Sequence, residues 1–171
     1  PYKEKVRLRS YGIPSMGSQV FLEIKKKYNG IVGKRRVDIK LSDFYNYINN
    51  NVIPTCNKQI MEEIDYCFKK YKLNPSLFIA YDRLSYYSKE NSSLRITIDT
   101  NIRSRVEDLN LELGDSGFLY FKDKTYLMEV KVLGSFPLWF VNAMSSLNIY
   151  PVSFSKYGKI YEKLIKEERN V

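Results

Sequence analysis

Ionic and apolar residues alternate along four stretches of this chain: Lys5-Val6-Arg7-Leu8-Arg9, Phe21-Leu22-Glu23-Ile24-Lys25, Leu94-Arg95-Ile96-Thr97-Ile98-Asp99 and Met128-Glu129-Val130-Lys131-Val132. Period two is the signature of a strand, and it puts the charges of each stretch on one side and the branched apolar residues on the other. A solvated face normally mixes Thr, Ser, Lys and Glu without preference. Here Arg and Lys recur beside only a few carboxylates, a pattern suited to a multiply charged anion.

The turns organise these strands. Asn29-Gly30 predicts a two-residue type I′ turn between Val20 to Tyr28 and Ile31 to Ile39. With Tyr28 opposite Ile31, counting outward sets Lys25 against Lys34, Glu23 against Arg36 and Phe21 against Asp38, each pair sharing a face. Two ammonium groups ~5 Å apart repel by roughly 3 kcal/mol at an effective dielectric of ~20, a penalty that a bound anion would reverse. Ser42 is the expected N-cap of a short helix, and a second helix is expected over 57–72, with Ile60, Ile64, Cys67, Phe68 and Tyr71 as its apolar stripe. Strands follow over 77–87, where Tyr81, Arg83 and Ser85 share a face, and over 94–101. Residues 117–121 and 125–133 read as a hairpin across Lys122-Asp123-Lys124. Pro137 suits the first turn of a helix with Trp139, Phe140, Met144 and Leu147 as core, and a last helix over 156–168 buries Tyr157, Ile160, Tyr161, Leu164 and Ile165.

Composition narrows the chemistry. At 171 residues one domain spanning the whole chain is expected, and no apolar run approaches the ~20 residues needed to span a bilayer. The net charge of +9 favours polyanionic partners. The absence of histidine removes Ser-His and Cys-His catalysis and leaves carboxylates, Lys, Tyr and backbone to do any chemistry. Cys56 and Cys67 lack a metal-ligand spacing and read as two buried thiols in a reducing, cytoplasmic compartment.

An antiparallel sheet with helices on one side must dispose of its other face. If the sheet closes into a barrel, Leu22, Ile24, Leu94, Ile96, Ile98, Val130 and Val132 face outward against helices and the ions line the interior. The expected fold is α+β, an antiparallel barrel or tunnel with an ionic interior. Ser153, Ser155 and Lys156 open the last helix, where a cation opposes the helix dipole. Either an anion binds there, or Ser155 is a plain N-cap and Lys156 points to solvent.

Seven ordered motifs, Arg7-Leu8-Arg9-Ser10-Tyr11-Gly12, Phe21-Leu22-Glu23-Ile24-Lys25, Lys34-Arg35-Arg36, Tyr81-Asp82-Arg83, Leu94-Arg95-Ile96-Thr97-Ile98-Asp99, Met128-Glu129-Val130-Lys131 and Ser155-Lys156-Tyr157, span nearly the whole chain. With them the chain resembles the polyphosphate polymerase domain of the vacuolar transporter chaperone (VTC) family, within the CYTH-like triphosphate tunnel metalloenzyme superfamily. The resemblance implies a basic tunnel in which the ATP γ-phosphate is transferred to a growing polyphosphate chain. By motif position it implies that Arg7, Arg9, Lys25, Lys34, Arg36, Arg83, Arg95, Lys131 and Lys156 grip phosphates, helped by Tyr81 and Ser155, with Arg7, Arg9, Lys25, Arg95 and Lys131 as catalytic. Glu129 would hold Mn²⁺ or Mg²⁺. Family members begin with a strand of alternating acidic and basic residues that nothing before Pro1 supplies here, so the chain is expected to be the C-terminal part of a longer protein, with an incomplete tunnel. No specific nucleic acid is expected as a partner, while a membrane-protein partner and a homodimer stay open.

Two other readings use the same residues. A triphosphate hydrolase or nucleotide cyclase would need more carboxylates for metal and water than Glu23, Asp99 and Glu129 supply against so many cations. A non-catalytic module for polyphosphate or RNA would draw on the 15 Tyr for stacking, although several of them fall on helix stripes.

Overall fold

The computed structural model describes residues 2–90, 93–121 and 124–168, without the side chains of 165–168. The chain divides into two compact units: Pro1–Ser76 with Asp108–Asp115, and Leu77–Glu107 with Ser116–Val171. Each is an antiparallel sheet with two helices, a mixed α+β composition.

The first unit is a meander of β1 (Lys3–Arg9), β2 (Gln19–Tyr28) and β3 (Ile31–Lys40), followed by α1 (Leu41–Asn50) and α2 (Lys58–Tyr71). The Asn29-Gly30 turn forms with both residues at positive φ and sets Tyr28 opposite Ile31, Lys25 opposite Lys34 and Glu23 opposite Arg36, as the sequence requires. One sheet face carries Val20, Leu22, Ile24, Val37 and Ile39 into a core with Leu41, Phe44, Tyr47, Met61, Ile64 and Cys67. The segment 108–115 closes this unit: Leu111 packs on the core, and the Tyr45 hydroxyl donates to Glu112 at 2.6 Å. Three local expectations are corrected. Helix α1 begins at Leu41, with Lys40 at the cap position, so Ser42 lies inside the first turn. The buried stripe of α2 runs through Met61, Ile64 and Cys67, leaving Tyr71 46% exposed. Cys56 precedes α2 and is only partly buried.

In the second unit β5 (Arg95–Arg105) is central. Antiparallel β4 (Phe78–Tyr87) pairs along its length, while β6 (Phe118–Leu119) and β7 (Leu127–Lys131) pair with its two halves. The hairpin expected between 117–121 and 125–133 is therefore not formed. Both segments run antiparallel to β5, Phe118 opposite Ser104 and Leu127 opposite Asp99, as one interrupted strand. Lys122 and Asp123 of the supposed turn lie outside the described residues. Strand β5 also runs four residues beyond the expected end at Asn101, because Asn101 takes a left-handed conformation (φ 49°) opposite a register shift between Ala80 and Asp82. Such a bulge re-phases the strand: Thr97 and Asp99 are buried before it, Ile102 and Ser104 after it.

Helices α3 (Leu138–Ser146) and α4 (Lys156–Glu168) complete the unit. Pro137 caps α3 rather than entering its first turn, and of the expected core stripe only Phe140 is buried, Trp139 being 55% and Leu147 64% exposed. In α4 Ile160 is buried and Tyr157 partly so, Tyr161 is 45% exposed, and the Ile165 side chain lies outside the described residues. The expectation that helices cover the apolar sheet face fails here too. Ile96, Ile98, Val130 and Val132 are only partly buried, whereas Thr97 and Asp99 on the ionic face are buried. Among the described residues, hydrogen bonding yields two separate sheets and no closed barrel. No described helix is long and apolar enough to cross a membrane.

Gly117, just before β6, lies against the β5 backbone: a Cβ there would sit 2.7 Å from the Ser104 carbonyl oxygen and 2.9 Å from its carbon. Backbone cannot swing aside as a flexible side chain can, so Gly117→Ala is expected to destabilise the protein by about 1–3 kcal/mol. Denaturant unfolding of the two forms checks this.

Candidate functional site

The strand registers align the charged side chains in rows. Across the first sheet Lys5 opposes Lys25, which opposes Lys34; Arg7 opposes Glu23, which opposes Arg36; Arg9 opposes Phe21, which opposes Asp38. Six cations thus share one face with two carboxylates. Glu23 is buried in their midst. Arg7 donates to its Oε2 from Nε at 3.1 Å and Nη2 at 2.5 Å, and Lys34 Nζ lies 2.7 Å from Oε1. Burial alone would raise the Glu23 pKa; the hydrogen bonds from Lys34 and Arg7 outweigh it and hold the carboxyl below its ordinary range. Lys5 shows the opposite imbalance: desolvation, then the Arg7 and Lys25 charges, pull its ammonium below the usual lysine value. At the edges of the face, Arg36 pairs with Asp38 at 3.1 Å and lies over Phe21, and Arg9 lies over Tyr11.

The second sheet repeats the arrangement with its own rows: Arg83, Asp99 and Leu127; Ser85, Thr97 and Glu129; Tyr87, Arg95 and Lys131. Asp99 is 1% exposed, gripped by Arg83 through Nε (2.5 Å) and Nη2 (2.7 Å) and by Lys156 Nζ (2.5 Å) from the start of α4. Both cations also lie over the Tyr81 ring, 4.9 and 4.6 Å from its centroid. Burial again works against ionisation of Asp99, and the Arg83 and Lys156 hydrogen bonds again prevail, keeping its pKa low. The Asp99 hydrogen bond in turn raises the Arg83 pKa. Glu129 takes Lys131 at 3.0 Å and faces Arg83 at 4.0 Å. Arg95 lies over Tyr87 at 5.2 Å, and its Nε is buried without a hydrogen-bond partner among the described residues.

At the α4 terminus, Ser155 is an N-cap: its Oγ accepts from the Gly158 N–H at 3.2 Å and its carbonyl from the Lys159 N–H at 2.8 Å. Lys156, however, does not point to solvent. The anion that makes a lysine tolerable at the positive end of the helix is the protein's own Asp99.

On the ionic face of the second unit, Glu129 is the accessible carboxylate for a divalent cation. Both Asp99 oxygens are engaged by cations, while Glu129 is 46% exposed at its side chain. Among the described residues no group of three or more His, Cys, Asp or Glu converges. Mg²⁺ and Mn²⁺ are commonly held by one or two carboxylates with phosphate oxygens completing the shell, so Glu129 fits as the protein's share of such a site.

The VTC domain family model matches residues 1–165. The chain belongs to the VTC domain family. Membership implies a polyphosphate-related function of phosphotransferase type, and the CYTH-like superfamily is consistent with it. No match is found among curated proteins. In this VTC domain Arg7, Arg9, Lys25, Lys34 and Arg36 share the ionic face of the first unit, and Tyr81, Arg83, Arg95, Glu129, Lys131, Ser155 and Lys156 gather on that of the second. The sequence reading left Glu23 and Asp99 out of the site, although their places in the alternation pointed inward with the cations.

Because Glu23 and Asp99 have depressed pKa values when folded, their contribution to stability is fully present above the unfolded carboxyl pKa, ~4, and is lost as pH falls through the folded values. Unfolding free energy is therefore expected to be level from about pH 6 to 5 and to fall below about pH 4. Glu23→Gln or Asp99→Asn should each be less stable at pH 6 and show a shallower acid limb, measured by denaturant titration across that range.

Proposed function

We propose that this VTC domain is a polyphosphate polymerase that transfers the γ-phosphate of ATP to the end of an inorganic polyphosphate chain. The observation that carries this reading is the surplus of cations on ionic faces whose most buried carboxylates, Glu23 and Asp99, are already paired with the protein's own cations. What the faces offer beyond these pairs is positive: a row of three lysines of which Lys34 alone reaches Glu23, and the Arg95 Nε, buried without an acceptor among the described residues. In this reading strands of this kind are the walls of the tunnel that the resemblance implies.

Phosphoryl transfer asks mainly for positioning and charge neutralisation. A terminal oxygen of the growing chain attacks the γ-phosphorus. The bond from that phosphorus to the β–γ bridging oxygen breaks, and ADP leaves with the electron pair. Arg7, Arg9, Lys25, Lys34 and Arg36 hold phosphoryl oxygens along one face. Arg83, Lys131 and Lys156 do so on the other, with the Arg95 Nε supplying a desolvated donor and Tyr81 steadying its two cations. A divalent ion at Glu129 would neutralise charge shared between phosphates. A hydrolase would instead need free carboxylates to hold metal and activate water, and Asp99, bound by three nitrogen contacts, is poorly placed for that.

With ATP and Mn²⁺ the protein is expected to make an acid-stable polymer that exopolyphosphatase degrades, at rates lowered at least about tenfold by Arg95→Ala or Lys156→Ala. Absence of polymer, together with unchanged tripolyphosphate binding in Arg95→Ala and Glu129→Ala, would overturn the assignment. Equal affinity for RNA and polyphosphate, without a gain from Mn²⁺, would favour a non-catalytic binding module.

A further inference from the structure

One end of the first unit's ionic face runs into a cavity of about 580 Å³ that the phosphate-binding residues do not use. Asp38 belongs to both. On β3 it ends the row begun by Arg9 and takes Arg36 at 3.1 Å, and it also walls the cavity. Asp43, in the first turn of α1, lines the same space, as do Val52, Ile53, Pro54 and Thr55. Cys56 lines the same space, and burial raises the pKa of its thiol, with the Asp43 and Asp38 charges adding to it.

The chemistry changes abruptly along this face. Lys34 and Arg36 suit phosphate, whereas Asp38 and Asp43, four and nine residues after Lys34, repel it, with Lys40 between them in sequence also lining the cavity. Carboxylates accept hydrogen bonds from hydroxyl and amino groups, and an acidic side chain on ribose hydroxyls is a recurrent device of nucleotide sites. Val52 and Ile53, 52% and 42% exposed, offer apolar surface to a flat ring. From Lys34 to Asp38 the strand spans ~13 Å at ~3.3 Å per residue, a distance of the order that separates the base of an extended nucleoside triphosphate from its terminal phosphate. The volume lies within the ~300–1,000 Å³ common for small-molecule sites.

We infer that this cavity is a nucleoside subsite, in which Asp38 and Asp43 accept from the ribose hydroxyls or base amine and Val52, Ile53 and Pro54 contact the base while the phosphates lie along Arg36 and Lys34. The inference rests on the polymerase reading, since it names the part of the donor that the cation rows cannot recognise. It also explains how a face built for phosphate in general distinguishes a nucleotide donor from its inorganic product.

The test compares ATP with inorganic tripolyphosphate by isothermal titration calorimetry on wild type, Asp43→Asn and Ile53→Ser. Neither variant touches a cation of the rows, and both sites are exposed, so melting temperatures serve as the check on folding. Each substitution is expected to weaken ATP binding by about tenfold, the effect of losing one charged hydrogen bond or its apolar support, and to leave tripolyphosphate within about twofold. Equal effects on both ligands, or no effect on ATP, would overturn the subsite. If wild type binds ATP with this sensitivity but does not bind tripolyphosphate, the subsite stands and the polymerase reading fails.

Discussion

Each unit of this VTC domain is organised around a carboxylate that cannot leave and cations that cannot do without it. Removing a carboxylate from water costs several kcal/mol, and one cation in good geometry seldom repays it. Glu23 and Asp99 each receive two, Arg7 with Lys34 and Arg83 with Lys156, and every one of these cations comes from a different strand or helix than its carboxylate. The pairings therefore lock chain segments far apart in sequence, 57 residues separating Asp99 from Lys156. They also hold long flexible side chains at fixed places on a face where unaided mutual repulsion would send them into solvent.

This constraint reverses the ordinary layering of a sheet in the second unit. In the first, the apolar face of β2 and β3 meets α1 and α2 and the ionic face is the outer one. In the second, the start of α4 reaches onto the ionic face, so Asp99 is better buried than Ile96 or Ile98. A polar face can be buried in this way only because its charges are mutually compensated and Tyr81 gives both cations an aromatic surface. In this unit Arg95 is the exception, its Nε buried without a hydrogen-bond partner among the described residues. An unmet donor of that kind costs about 1–3 kcal/mol.

How much of this could be read from residues alone depends on whether the deciding contact is local. The alternation of charge and the Asn29-Gly30 turn fixed the register of β2 and β3 correctly, because a two-residue turn leaves one pairing. The same local logic failed at Lys122-Asp123-Lys124: the residues look like a turn, yet the flanking strands both pair with β5, whose partner residues lie 14 to 36 positions away. It failed again at Asn101, whose left-handed conformation lets β5 continue in a new phase where period counting ends the strand. Helix stripes were misjudged wherever exposure depends on a packing partner, as at Tyr71, Trp139 and Tyr161. Among the site residues, the cations announced themselves by repetition. Their counter-ions did not, since two carboxylates among six basic residues look like noise until the rows are assembled.

That asymmetry bears on chemistry as well as on folding. A carboxylate already saturated with nitrogen donors is a poor metal ligand and a poor base, because taking either role means surrendering ion pairs that keep its folded pKa low. Glu129, half exposed and held by Lys131 with Arg83 more distant, keeps that freedom. A face with many fixed cations and one adaptable carboxylate can stabilise charge shared among phosphates far better than it can generate hydroxide. On electrostatic grounds, then, this arrangement supports the proposed transfer of a phosphoryl group between phosphates over its delivery to water.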